Sequence, residues 1–235
     1  MLYFRFRRML EAIMAKDTKH KNLNALIDAL FDALATTPWN DVHLSALAAS
    51  ADIALVDLPD IAAGKLDIIA AFARQVDREV LEAVDEDLAD EPARERLFDV
   101  LMARFDALTD KKAGLRQLMT DVRRDPVLAL ELNRIAVRSQ SWMLVGAGIN
   151  PDGLMGAARV QGAVLAFSHV MRTWLNDDDE GLAATMAELD KTLRRGEEQL
   201  SRLDRVFGLF QPRRRAPKAP KYPVHEYTSS EQPIS

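Results

Sequence analysis

The side chains able to do chemistry in this 235-residue chain are four scattered histidines (His20, His43, His169 and His225), 36 carboxylates and 31 lysines and arginines, with no cysteine. No two histidines stand at i,i+4 and no HExxH occurs, which argues against a histidine-built metal site and leaves only carboxylates as ligands. The lack of cysteine removes disulfides, thiolate zinc sites and a thiol nucleophile. The first glycine is Gly64, and neither a Gly-x-Gly-x-x-Gly nor a Walker loop is present, so a glycine-rich loop cradling a nucleotide phosphate is not expected. No carboxylate pair or nucleophile–base set stands out either, and the expectation is a protein without catalysis, metal or cofactor. What remains is non-covalent chemistry: methionine and aromatic side chains that can line an apolar site, and arginines that can meet anions.

The elements positioning these residues read as helices. Apolar residues recur at spacings of 3 and 4 through Leu23, Leu26, Ile27, Leu30, Phe31 and Leu34, through Ile69, Phe72, Val76, Val80 and Val84, and through Leu97, Val100, Leu101, Phe105 and Leu108. No stretch alternates apolar and polar residues for long, so the fold class is all-α. Thr37-Pro38, Asp90-Glu91-Pro92, Asp125-Pro126 and Asn150-Pro151-Asp152-Gly153 mark helix ends, giving nine or ten helices. The runs 126–149 and 153–175 are apolar on most sides and should be central. No run approaches the ~18 to 20 apolar residues of a membrane span. The first 13 residues mix aromatic and basic side chains and read either as a start-site extension ahead of Met14 or as a surface-seeking amphipathic segment. From Pro212 to Ser235 the chain is proline- and base-rich, then polar, a composition expected to be disordered.

Between Asn22 and Phe72 three helices are expected: one ending at Pro38-Trp39, one over Val42–Ala51, and one around Leu55 to Ile61, stopping before Gly64-Lys65. This helix-turn-helix unit resembles the TetR family, with Trp39, Leu47, Ala48, Ala51, Ile53, Leu58 and Lys65 in register. It departs where DNA recognition would sit. Asp52 replaces the turn glycine, Ala54 the capping serine, and Pro59 interrupts the expected recognition helix, where a proline removes a hydrogen bond and bends the element. The unit carries seven aspartates against Lys65 alone, a net charge of -6. Phosphate binding needs Lys and Arg, and base readout needs Arg, Lys, Asn or Gln, none of which occurs from Leu55 to Gly64. DNA is therefore not the expected partner, and a TetR-family regulator binding DNA and a hydrophobic effector is the alternative function.

Further along, Lys65-Leu-Asp-Ile-Ile-Ala-Ala-Phe-Ala-Arg-Gln-Val-Asp, the stretch from Asp90 to Leu108, Asp121-Val-Arg-Arg-Asp-Pro, Arg138-Ser-Gln-Ser-Trp-Met-Leu and Arg172-Thr-Trp-Leu-Asn-Asp-Asp resemble the bacterial form of the Coq-nine family of ubiquinone-biosynthesis accessory proteins. With the helix-turn-helix unit, the resemblance covers roughly residues 22 to 205. It implies a TetR-like homodimer that binds an isoprenoid lipid or phospholipid, lies in the cytoplasm against the inner membrane, and presents quinone intermediates to a hydroxylase of the pathway. Composition and the resemblance together divide the chain into an N-terminal extension (1–21), the degenerate helix-turn-helix module (22–72), a lipid-binding domain (73–180), an amphipathic C-terminal helix (181–211) and the tail (212–235).

Met102, Phe105, Leu115, Leu118, Met119, Ile135, Trp142, Met143, Val164, Phe167, Met171 and Trp174 lie on helices that such a fold brings together as pocket walls, where methionine fills irregular gaps. The same residues also suit a plain hydrophobic core. On the last helix, Leu200, Leu203, Val206, Phe207, Leu209 and Phe210 run into Arg213, Arg214 and Arg215, the mixture that inserts into headgroups and is drawn to an anionic membrane surface. Packing on the body or on a second subunit explains the 3/4 spacing equally well. Leu154 and Met155 are candidates for contact with the partner enzyme, by their place in the family. Gly156, Ala157, Ala158, Gly162, Ala163 and Ala166 permit close helix approach, either between subunits or within one.

Overall fold

A computed structural model gives the backbone of residues 2–84 and 90–208, with side chains described at residue 14 and over 17–84 and 90–199. Among the described residues there is no strand, and nine α-helices follow one another. They are α1 (Leu2–Leu34), α2 (Leu44–Ser50), α3 (Leu58–Ile61), α4 (Lys65–Glu82), α5 (Ala93–Ala107), α6 (Lys112–Val122), α7 (Pro126–Gly146), α8 (Gly153–Trp174) and α9 (Ala183–Gly208). Short 3-10 turns stand at Trp39–Asp41 and Thr109–Lys111.

Local chemistry accounts for the helix limits. The Asp125 carboxylate accepts from the backbone N–H groups of Val127 (2.9 Å) and Leu128 (3.0 Å), and Pro126 occupies the first helical position of α7, where a missing N–H costs nothing. Helix α1 crosses residue 22 without a break, so the proposed extension and module share one helix. The side chains of residues 1–13 lie outside the described residues.

The expectation of a longer recognition helix is corrected. Rather than running from Leu55 with Pro59 in its interior, α3 is the single turn Leu58–Ile61 with Pro59 in its first turn. A helix begun at Leu55 would need the residue-59 N–H to bond the residue-55 carbonyl, and proline has no N–H to give. Residues 55–57 form a turn instead, leaving Leu55 and Val56 62% and 81% exposed.

One continuous core joins the module to the rest. Leu26, Leu30, Leu34, Leu47 and Ile68 share a buried cluster with Leu101, Phe105, Met143, Trp174 and Leu189. Helix α1 packs on α6 so closely that a Cβ at Gly114 would lie 2.6 Å from the Phe31 carbonyl oxygen, which explains a glycine inside α6. Helix α4 packs on α1, α5 and α7, while α8 packs on α7 and α9.

Candidate functional site

The helix-turn-helix module keeps its shape and loses its cation. Asp52, in the glycine position of the turn, holds a φ of 55°, the left-handed region that Asp tolerates better than most residues. Asp41, Asp52, Asp57 and Asp60 are exposed. Lys65, the module's one basic residue, is turned inward. Its ammonium donates to the carbonyls of Trp39 and Val42 (2.7 Å for the latter) and lies 4.5 Å from the Trp39 ring centroid. Burial pulls its pKa below the usual lysine value, with Asp41 acting in the opposite sense. The surface that would meet phosphates is therefore acidic.

Several of the residues expected to line a lipid site meet in the interior. Phe105 stacks on Phe167 with centroids 4.5 Å apart and planes 15° apart, and its centroid lies 5.6 Å from that of Trp174. Met143, Met171, Leu115, Leu118 and Val164 are buried, and Met102, Met119 and Ile135 are half-buried against the same core. Trp142 stands apart, 51% exposed on the outer side of α7.

Sequence reasoning missed a charged network beside these aromatics. The Asp77 carboxylate of α4 accepts from Arg104 of α5 and from the Ser139 hydroxyl of α7, all three side chains being buried. The Arg104 guanidinium also lies 5.4 Å from the Phe167 centroid, with Nη1 3.7 Å from the Met143 sulfur. Burial lowers the Arg104 pKa and Asp77 opposes that shift. Arg104 Nε, Gln140 Oε1 and Trp174 Nε1 are buried without a hydrogen-bond partner. Each such orphan costs roughly 1–3 kcal/mol, so an interior with three is short of polar company. The signal lay in the pattern: Asp77 follows Val76 in the apolar register of α4, and Arg104 stands between Leu101 and Phe105.

A cleft of about 200 Å³ opens between α4 and α7, walled by Leu66, Ala70, Ala73 and Ile135 and edged by Arg74, Arg134 and Arg138. Its carboxylates are occupied. Asp67 accepts from the Ala63 N–H (2.9 Å), Glu131 pairs with Arg134, and Asp77 holds Arg104 and Ser139.

Helix α9 is attached to the body over its first half. Leu189 and Leu193 are buried, Arg94 of α5 donates to Asp190 (2.7 Å), and His169 of α8 lies 2.9 Å from Glu188. At its start, Asp177 Oδ2 accepts from the Thr185 hydroxyl (2.7 Å) and N–H (2.8 Å), bonds that hold this carboxyl below the ordinary aspartate range. Leu200, Leu203, Val206 and Phe207 fall on the α9 backbone, but their side chains lie outside the described residues, as do Leu209, Phe210, Arg213, Arg214, Arg215 and the whole tail. Leu154 is 79% exposed at the start of α8 and Met155 is half-buried. Gly156 serves the subunit itself, since a Cβ there would fall 2.2 Å from the Pro151 carbonyl oxygen, whereas Gly162 faces open space.

No protein-family model matches the chain, and no curated protein matches it either. Solved structures do. A TetR transcriptional regulator from Nitrosomonas europaea ATCC 19718 is similar at a TM-score of 0.58 and 20% identity, over 74% of this chain and 96% of that one. A TetR transcriptional regulator from Rhodococcus sp. RHA1 is similar at 0.54 and 16%, over 75% and 96%. At these identities the likeness shows the fold, which is all-α and TetR-like. Among the described residues no helix is long and apolar enough to cross a membrane.

Proposed function

We propose that this chain is a non-enzymatic, TetR-like accessory protein of ubiquinone biosynthesis. In this reading it binds an isoprenoid lipid or phospholipid, works as a homodimer in the cytoplasm against the inner membrane, and presents quinone intermediates to a hydroxylase. The observation that carries the departure from DNA is the module itself: a one-turn recognition helix among exposed aspartates, with its single lysine bonded to Trp39 and Val42. Such a surface repels phosphates before any base is reached. The lipid half draws support from the aromatic and methionine cluster around Phe105 and Phe167, with unpaired Arg104 Nε, Gln140 Oε1 and Trp174 Nε1 available to a ligand's polar end. The quinone pathway itself rests on the resemblance in residues 65–77, 90–108 and 172–178.

Native mass spectrometry and lipid extraction of the purified protein test this reading. A co-purified isoprenoid or phospholipid is expected, and consistently empty protein would favour an ordinary core. The second reading, a transcriptional regulator with a hydrophobic effector, is favoured by the two TetR regulators that share the fold. A shift of the gene's own promoter DNA at moderate salt would establish it at the expense of the first.

A further inference from the structure

We propose that the outer face of α7, with the cleft it forms against α4, is a membrane-contact surface in its own right, taking the phosphate of an anionic phospholipid between Arg74 and Arg138. This rests on the peripheral-membrane part of the function proposed above, but it uses residues far in sequence from the last helix. Val127, Leu130, Arg134, Arg138, Trp142 and Val145 follow one another at spacings of 3, 4, 4, 4 and 3, which puts all six on one stripe of a helix. The four apolar members are 72%, 54%, 51% and 46% exposed, in the order Val127, Leu130, Trp142, Val145. The stripe thus has an apolar pair near each end and arginines between them.

The charges beside the stripe are arranged to leave cations free. Every carboxylate lining the cleft already has a donor: Asp67 the Ala63 N–H, Glu131 its neighbour Arg134, and Asp77 both Arg104 and Ser139. Arg74 and Arg138 are exposed, line the same cleft, and make no hydrogen bond or ion pair among the described residues. An unpaired guanidinium is a planar fork suited to phosphate oxygens, and its aliphatic stem can lie along apolar surface while its head reaches the headgroup layer. The cleft of about 200 Å³ is smaller than the usual site for a drug-sized molecule and matches a headgroup. A tryptophan set between an arginine and a valine, as Trp142 is between Arg138 and Val145, belongs at the depth where headgroups meet acyl chains.

A bilayer fits this face better than a second copy of the chain. In a two-fold contact centred on the stripe, arginines would meet arginines, whereas lipid phosphates complement them. The fluorescence of the protein itself reads the outcome, because Trp39 and Trp174 are 7% and 0% exposed and Trp142 is the one tryptophan open to solvent.

The test uses the full chain with phosphatidylcholine vesicles, with and without phosphatidylglycerol, carrying brominated acyl chains. Quenching of tryptophan emission is expected with the anionic vesicles alone. It should vanish in Trp142→Phe and fall several-fold in the Arg74→Gln, Arg138→Gln double variant, at unchanged circular dichroism. Protein that floats with anionic vesicles while Trp142 stays unquenched overturns this surface and leaves the membrane reading standing. Protein that fails to float with any vesicle overturns both. Loss of self-association in the double variant, without quenching in the wild type, would reassign the face to a contact between copies and overturn the proposal.

Discussion

At the scale of single residues, the most consequential side chains are the buried trio Asp77, Arg104 and Ser139. Removing one member of a buried ion pair leaves a charge without compensation, a loss of about 3–5 kcal/mol, whereas replacing both with apolar groups of similar volume is often neutral. Asp77→Ala should therefore lower the free energy of unfolding by roughly that amount in urea titrations, and an Asp77→Leu, Arg104→Met variant should recover most of it. If the double variant is as unstable as the single one, the trio matters through its shape and not its charge. Lys65 makes a similar point about DNA. Its ammonium is committed to the Trp39 and Val42 carbonyls, so Lys65→Met should destabilise the fold by about 1–3 kcal/mol, seen as an earlier thermal unfolding.

At the scale of elements, the attachment of α9 has a definite pH dependence. Bonds from Thr185 hold the Asp177 carboxyl below its ordinary range, and bonds from Lys191 and His169 do the same for Glu188. A group whose folded pKa is depressed contributes stability above its unfolded value, and that stability is lost as pH falls through the folded value. For Asp177 the unfolded value is about 3.9, so the contribution is complete at neutral pH and shrinks below that value until the depressed folded value is passed. Thermal unfolding of the wild type and Asp177→Asn, followed from pH 6 to pH 3, should show a gap that closes toward acid. Parallel curves would mean that the Thr185 bonds are worth the same without the charge. The sequence pattern extends α3 back to Leu55 across Pro59, but a proline sets where that helix can start, and α3 begins at Leu58.

At the scale of the whole molecule, the small net charge of -5 conceals a division, with -6 on the helix-turn-helix module alone. The exposed side of α8 offers room for the second copy of the proposed homodimer. Leu165 is 64% exposed beside Gly162, whose missing side chain leaves open space, and the adjacent Ala157 and Ala158 lie exposed about two turns before Leu165. Leu165→Glu should convert a dimer into a monomer in sedimentation experiments, and an unchanged dimer would move the contact elsewhere.

Periodicity and punctuation were enough to predict an all-helical chain, the close of α1, the starts of α5, α7 and α8, and the burial of residues such as Phe105, Phe167 and Trp174, because helix faces and caps are local consequences of spacing. The acidic character of the module was equally legible, since charge is a property of composition. Which side chains meet was not. Asp77, Arg104 and Ser139 come from three helices and find one another only when α4, α5 and α7 are packed together. Trp142 and Met143 are neighbours in sequence, yet one step of 100° around α7 sends the first to the surface and the second into the core. The cleft edged by Arg74 and Arg138 likewise exists only between two packed helices, because its chemistry depends on which carboxylates the tertiary structure has already satisfied.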